Sequence, residues 1–501
     1  MSLSLEIICG VVAAVVAFYC YLTAHNNFWK NRKVPGPKPE VAFGNVRKVM
    51  FGNESLADLL TRVWNEYRNE PLVGIFLRRQ PVLVIRDPDL IKDVLIKNFS
   101  TFVNRDYIKT DRADPLTDNL FTLEEKRWRP LRAQLSPVFT SGKLKGMFSL
   151  ILQCSNHLES YLDKLVEKME PVEVREVAAK FTTDVIGSCA FGLEMNSLSD
   201  EESEFRRIGK KIFATDIAKV IRIRLKQIAP WLNTLITCMM GPNEVTRTIM
   251  KITRETIEYR RKNNIVRQDF MNILLELKKH PERVGDIKLT DGLLAAQAFV
   301  FFAAGFETSS TTISNILYEL AFNHDCQEKL RAEIKEFEEK NNGEWKYETI
   351  QQMKYLNKVF QETLRKYPGL PVLSRKSVDS YTFEGTKVSI PKGTMVWIPV
   401  YPIHMDPNIY PDPERFDPER FSEEKVNKRH PMHFMPFGHG PRNCVGGRFA
   451  VYQTKIGLIK ILRKYKVDVC DKTLYPYKFN PFAFILAPMG GVYLNITKLE
   501  N

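Results

Sequence analysis

The chain has 501 residues, 44% of them hydrophobic and 26% charged, and a formal net charge of +14. This globular composition excludes a collagenous, mucin-like or mainly disordered chain, and a slightly negative mean hydropathy excludes a polytopic membrane protein. Eight cysteines with no C-x-x-C pair exclude a disulfide scaffold or a zinc ribbon, and the dispersed basic residues, lacking any nucleic-acid motif, point to a membrane surface or an acidic partner instead of nucleic acid.

Residues 3–24 form one apolar run, broken only by Ser4, Glu6 and Thr23. As a helix it spans about 33 Å, enough for a bilayer core. Lys30, Arg32 and Lys33 follow it, so the positive-inside rule places the rest of the chain in the cytosol. A cleaved signal peptide needs a basic leader and a small-residue cleavage site, and neither is present. The expectation is a membrane anchor over 1–24. Residues 25–40 then read as a basic, proline-rich linker, stiffened by Pro35, Pro37 and Pro39.

Residues 41–501 read as one domain without repeats or a second linker. The apolar runs 72–77 and 81–85 predict a hairpin, and 88–96 a helix. Helical patterns dominate from 128 to about 367. Between two of these helices, Ile228, Pro230, Trp231, Leu232, Leu235 and Ile236 make an unusually apolar connector, suited to membrane contact or to burial. Short strands are expected at 381–383, 388–390 and 394–398, then a helix over 446–465 and a strand-like tail. The fold class is mainly α with a small β-rich lobe.

One cysteine stands apart. Phe437-Gly438-His439-Gly440-Pro441-Arg442-Asn443-Cys444-Val445-Gly446-Gly447 sets Cys444 in a glycine-crowded loop just before a helix. Glycines let backbone approach a flat ligand closely. The helix N-terminus and Arg442 favour a thiolate, which suits an axial ligand to haem iron. A free loop cysteine, or a nucleophile paired with His439, fits the same residues. Elsewhere, Glu362 and Arg365 form an i,i+3 pair of a kind common on helix surfaces. Gly305 lies in the middle of a long apolar helix over 290–323, at a cost of about 1 kcal/mol relative to alanine. It calls for a reason, either packing or a ligand. Trp128 and Arg132 share one helix face.

Together these segments resemble the cytochrome P-450 superfamily over nearly the whole chain. Phe437, Gly440, Arg442, Cys444 and Gly446 match its Phe-x-x-Gly-x-Arg-x-Cys-x-Gly signature, and Glu362-Thr363-Leu364-Arg365 its Glu-x-x-Arg helix. Of two Pro-Glu-Arg-Phe copies, spacing selects the second. The resemblance therefore implies that Arg420 joins Glu362 and Arg365 in a buried triad that locks the haem pocket. Ala303-Ala304-Gly305-Phe306-Glu307-Thr308 matches the oxygen-activation helix. Thr308 would hold a water on the proton route, and Glu307 would connect it to bulk solvent. Trp128, Arg132, Arg375, Arg442 and, more weakly, Arg105 are implied as propionate ligands of haem b, with Cys444 on the iron. The segments 135–145 and 436–444 look like those of the insect family-six microsomal enzymes, in the xenobiotic-metabolising clan that also contains vertebrate family three. Tyr367-Pro368-Gly369 departs from relatives that carry a second proline there.

The activity implied is a haem-thiolate monooxygenase that inserts one atom of O2 into hydrophobic small molecules, in detoxification of plant toxins or insecticides. Gly438-x-Gly440 lacks the third glycine of a dinucleotide fingerprint, with Asn443 in its place. With no nucleotide-binding motif, the electrons are expected from a separate protein, and the resemblance implies NADPH–cytochrome P-450 reductase, with cytochrome b5 as an optional second donor. That reductase would dock on a basic face near Arg127, Arg129, Lys143, Lys145 and Arg448. The implied location is the endoplasmic reticulum membrane, with the catalytic domain in the cytosol. Helical spacing from Thr308 puts Ala304, Phe301 or Val300, and Gln297 on the haem-facing side. Phe121, Leu370, Val372, Phe482 and Phe484 complete the expected substrate pocket. Alternatives are a dedicated insect hormone or lipid biosynthetic monooxygenase, a peroxide-rearranging haem protein, and a non-enzymatic membrane-bound haem or ligand carrier. The retained Gly305-x-Glu307-Thr308 argues against the last two.

Overall fold

The computed structural model describes residues 2–105, 114–199, 203–214, 220–222, 225, 229–267 and 269–500. The N-terminal helix Ser2–Thr23 contains a stretch, Leu5–Thr23, that is long and apolar enough to cross a membrane and buries nothing against the protein. A helix apolar all round with no protein around it is suited to lipid. Its last turn rests on the domain, with the Arg79 guanidinium 3.5 Å from the Tyr21 ring.

The segment expected as a linker does not hang free. Trp29 is buried and its indole N–H donates to the Ile75 carbonyl at 2.9 Å. Pro35 O accepts the Gly74 N–H at 2.8 Å. The prolines thus run beside strand β1 as part of the lobe, since their own backbone lacks donors to form a ladder.

Strands β1 (Leu72–Leu77) and β2 (Gln80–Ile85) form the expected hairpin. β3 (Val172–Glu173), β4 (Leu373–Lys376), β5 (Tyr381–Thr382), β6 (Ser389–Ile390), β7 (Met395–Ile398), β8 (Tyr465–Asp468) and β9 (Tyr493–Lys498) follow. The largest sheet runs β1-β2-β7-β4, with β2 parallel and β4 antiparallel to β7. β4 has no apolar alternation of its own, and its neighbour β7 makes it a strand. The closing strands form a second sheet, β3-β9-β8.

The helical body is built on the central helix Asp291–Phe322, capped by Thr290, whose side chain accepts the Leu293 N–H. It too is long and apolar enough to span a bilayer, but 61% of its most apolar window lies inside the protein. Helices Val174–Ile186 and Gly447–Leu462 pack against it, and burial of this apolar surface is the main stabilising term. The connector residues become helix Pro230–Met240 with inverted polarity. Asn233 and Thr237 face inward, while Trp231 is 71% and Met239 79% exposed. Leu235 and Ile236 also face outward, and Ile228 lies outside the described residues.

Candidate functional site

A cavity of about 900 Å³ lies between the central helix, the cysteine loop and the closing segment. Cys444 faces it from a loop held by its own backbone. Cys444 N–H donates to Phe437 O at 2.8 Å, Asn443 N–H to Gly440 O at 3.0 Å, and Gly438 N–H to Met435 O at 3.1 Å. Gly440 adopts φ +74°, and a Cβ there would sit 1.9 Å from the Leu95 carbonyl oxygen. Only glycine permits that approach. Enclosure by protein pushes the Cys444 thiol up, while the Gly446 N–H at the start of helix Gly447–Leu462 and the cations Arg132 and Arg105 pull it down. The cation expected to do this, Arg442, is instead engaged elsewhere. Its guanidinium lies 4.3 Å from the Trp128 ring and donates to Leu123 O at 2.6 Å.

Trp128, Arg105, Arg132, Arg375 and Arg442, which the resemblance implies as propionate ligands, all line the cavity. Arg132 donates to Asn443 Oδ1 at 3.0 Å, and Arg105 to Arg442 O at 2.9 Å. Burial, then Arg105, Arg375 and Arg132, lower the Arg442 pKa to about 8, and Glu125 opposes them. Arg442 Nε and Nη1 are buried without a hydrogen-bond partner among the described residues. Four clustered guanidiniums, with these donors of Arg442 unmet, are costly alone and suited to a dianion. The two carboxylates of haem fit this donor set, beside a cysteine facing the same cavity.

The central helix forms the opposite wall. Thr308 donates to Ala304 O at 2.8 Å, leaving its oxygen able to accept from a cavity water. Of the two reasons open for Gly305, packing applies: a Cβ would lie 2.2 Å from Ile186 Cδ1. Its carbonyl accepts from Gln453 Nε2 at 2.8 Å, and the Phe306 carbonyl from Thr182 at 2.9 Å. Glu307 differs from expectation. It is buried and ion-paired with Arg175, so its carboxylate faces a cation and not bulk solvent. Arg175, Glu176, Arg206 and Lys210 make this end of the cavity charged. Arg206 and Lys210 pull the Glu176 carboxyl down against the opposing effect of burial.

Behind the cysteine loop, Glu362 and Arg365 are fully buried and joined by two bonds of 2.7 and 2.8 Å. Arg420 Nε lies 3.4 Å from the same carboxylate, so the second Pro-Glu-Arg-Phe copy does supply the third member. The first copy contributes backbone, with Pro413 O accepting from Arg365 at 2.7 Å. Burial pushes the Glu362 carboxyl up; Arg365, the Asp417 N–H and Arg420 oppose it.

Phe121, Val300, Phe301, Ala304, Leu370, Phe482 and Phe484 all reach the cavity. Phe121 and Phe484 meet edge-on at 6.0 Å. Phe301 is fixed between Phe139 and Phe270 at 5.2 and 4.2 Å. Val372 is a correction. It is absent from the cavity wall and packs under the sheet with Val82, Val84 and Trp397, because β4 begins one residue later and the chain has already turned away. Gln297 is fully buried and ties the loop above it, accepting from Leu120 N–H at 2.8 Å and donating to Asp118 O at 3.0 Å. Arg175 and Gln453 were not foreseen, since no local pattern links them to residues 132 and 148 positions away. Of the expected docking residues, Arg127 pairs with Asp118, Arg129 with Glu125 and Lys145 with Glu348.

Comparison with known proteins gives the same assignment along the chain. The family described as Cytochrome P450 matches residues 34–494. Cytochrome P450 6a2 of Drosophila melanogaster is 41% identical, over 98% of this chain and 99% of its own length. Cytochrome P450 6A1 of Musca domestica and Cytochrome P450 6j1 of Blattella germanica are each 38% identical, over 98% and 100% of this chain and 97% and 99% of their own lengths.

Proposed function

The chain belongs to the cytochrome P450 family, and from that premise we propose that it oxidises apolar xenobiotics with electrons from NADPH passed through a separate reductase. Haem, held by a cysteine thiolate in this family, supplies the oxygen-activating chemistry. In our reading Cys444 is the iron ligand, and Trp128, Arg105, Arg132, Arg375 and Arg442 hold the propionates. Thr308 holds a water through its free lone pairs, and Glu307, positioned by Arg175, is the carboxylate on the proton route behind that water. Glu362, Arg365 and Arg420 lock the loop and do no chemistry.

The observation that carries the substrate class is the aromatic part of the cavity lining. Phe121, Phe301, Phe482 and Phe484 give the cavity an apolar wall. Such a wall discriminates weakly, since one methylene is worth roughly 1–3 kcal/mol. Turnover is therefore expected for several chemically unrelated hydrophobic compounds in a panel of plant toxins, insecticides and hormones, reconstituted with reductase and NADPH. A single hormone substrate with the rest inert would overturn this and favour the biosynthetic reading. Thr308→Ala should keep substrate binding but divert electrons to peroxide. An unchanged ratio of NADPH consumed to product formed would refute the role given to Thr308.

The exposed apolar N-terminal helix, followed by basic residues, supports anchoring to the endoplasmic reticulum with the domain on the cytosolic side. Deleting residues 1–24 should release much of the protein from microsomes with its haem site intact. Residual attachment would come through Trp231, Leu235, Ile236 and Met239.

A further inference from the structure

His404 ends the short helix Val400–His404 and is fully buried, away from the cavity. It is held at both ends. Arg365 Nη1 donates to its carbonyl at 2.9 Å, and the Met435 N–H donates to its Nε2 at 3.0 Å. The ring lies on Phe434, with centroids 5.4 Å apart and planes at 28°. A ring that accepts at Nε2 carries its proton on Nδ1, and that nitrogen is buried with no hydrogen-bond partner among the described residues. Burial and the cations Arg365 and Arg429 keep the imidazole neutral, with a pKa near about 3. Met435 opens the loop that carries Cys444. Its carbonyl accepts the Gly438 N–H, and the next turn's Phe437 carbonyl accepts the Cys444 N–H.

We propose that His404 is the positioning residue that transmits the rigidity of the Glu362–Arg365–Arg420 cluster to the Cys444 loop, through its carbonyl on one side and its imidazole on the other. This rests on the reading of Cys444 as iron ligand. Arg365 fixes the His404 backbone, and His404 fixes the Met435 amide. Met435 then sets where the loop begins and, through Phe437, where the Cys444 amide ends. Without the ring nitrogen the Met435 N–H is a buried donor with no acceptor, a state that costs more than the bond itself contributes. The loop then gains freedom to move away from the iron.

The test uses full-length, haem-loaded protein. His404→Phe keeps a stacking ring and removes the acceptor, whereas His404→Gln keeps an acceptor. The readout is the lifetime of the thiolate-type carbon monoxide band in mild urea, compared with helix content by circular dichroism. His404→Phe should lose the band about tenfold faster, at urea concentrations that leave the helix signal unchanged, as expected for one buried hydrogen bond. His404→Gln should recover most of the lifetime. An unchanged lifetime in His404→Phe, or band and helix signals lost together, overturns the proposal. If His404→Phe does not accumulate as folded protein, His404→Asn, whose amide stops short of the Met435 N–H, is read against wild type by the same criteria. Cys444→Ser tests the underlying reading separately: a serine variant that keeps the thiolate-type band refutes the ligand assignment whatever His404 does.

Discussion

The two walls of the cavity are built on different principles. On the cysteine side, Glu362, Arg365, Arg375 and Arg442 are almost wholly buried, and Phe437 and Met435 are held by backbone or imidazole bonds. On the aromatic side, Phe121, Phe482 and Phe484 line the cavity, Phe121 and Phe484 meet ring to ring, and Phe484 is 54% exposed. Polar networks at fixed geometry tolerate little change, because each missing partner leaves a buried charge or donor. Apolar contacts are non-directional and tolerate exchange. The arrangement makes the cysteine side rigid and leaves the aromatic side tolerant of exchange.

Substitutions on the two sides should therefore differ in kind as well as in size. Cys444→Ser should have the largest effect, with complete loss of turnover and of the thiolate-type carbon monoxide spectrum. Glu362→Gln comes next. It leaves Arg365 and Arg420 without their anion, a loss of about 3–5 kcal/mol for a broken buried pair, read as lower haem content and an earlier denaturation midpoint. A third test is acid. The His404 pKa of about 3 in the fold lies below its ordinary 6.5, so as pH falls below that value the unfolded chain takes up a proton that the folded chain refuses. Stability should fall by about 1.4 kcal/mol per pH unit relative to His404→Gln and level off near the folded value. Urea midpoints at several pH values above and below 6 check this, and parallel curves for the two proteins would contradict it.

Across the cavity, Phe121→Ala and Phe484→Ala should change product ratios severalfold while the carbon monoxide spectrum stays as in wild type. A loss of that spectrum would erase the distinction between the walls. The smallest effect is expected outside the cavity. Lys145 and Glu348 are 63% and 53% exposed, so their 2.6 Å pair contributes little to stability. Reductase affinity should weaken as salt rises and in Lys143→Glu with Lys145→Glu, because exposed attraction is screened over about 8 Å at physiological salt. Affinity insensitive to both would exclude electrostatic docking there.

Much of this was legible in one dimension. The N-terminal apolar run, the β1–β2 hairpin, the central helix and the cysteine loop each carry a local signal: run length, alternation, helical period or glycine spacing. The resemblance then assigned residues to the haem site, and those residues do meet at one cavity. What escaped has a common cause. β4 is a strand only because β7 offers it a ladder. Val372 leaves the cavity because of that same strand. Arg175 reaches Glu307, and Gln453 reaches the Gly305 carbonyl, across separations that no periodicity encodes. Arg442 turns onto Trp128 and leaves Arg132 and Arg105 as the cations that act on Cys444.

By itself, the sequence determined which segments are helix, which run is long and apolar enough to cross a membrane and which cysteine stands in a glycine-rich loop before a helix, since backbone preference and apolar patterning act between near neighbours. Tertiary structure alone decided which charge faces which, where Glu307 finds its counterion and how His404 joins the triad to the cysteine loop. Burial removes the competing water, and a buried charge or donor then takes whichever partner packing brings within hydrogen-bond reach, however distant in the chain.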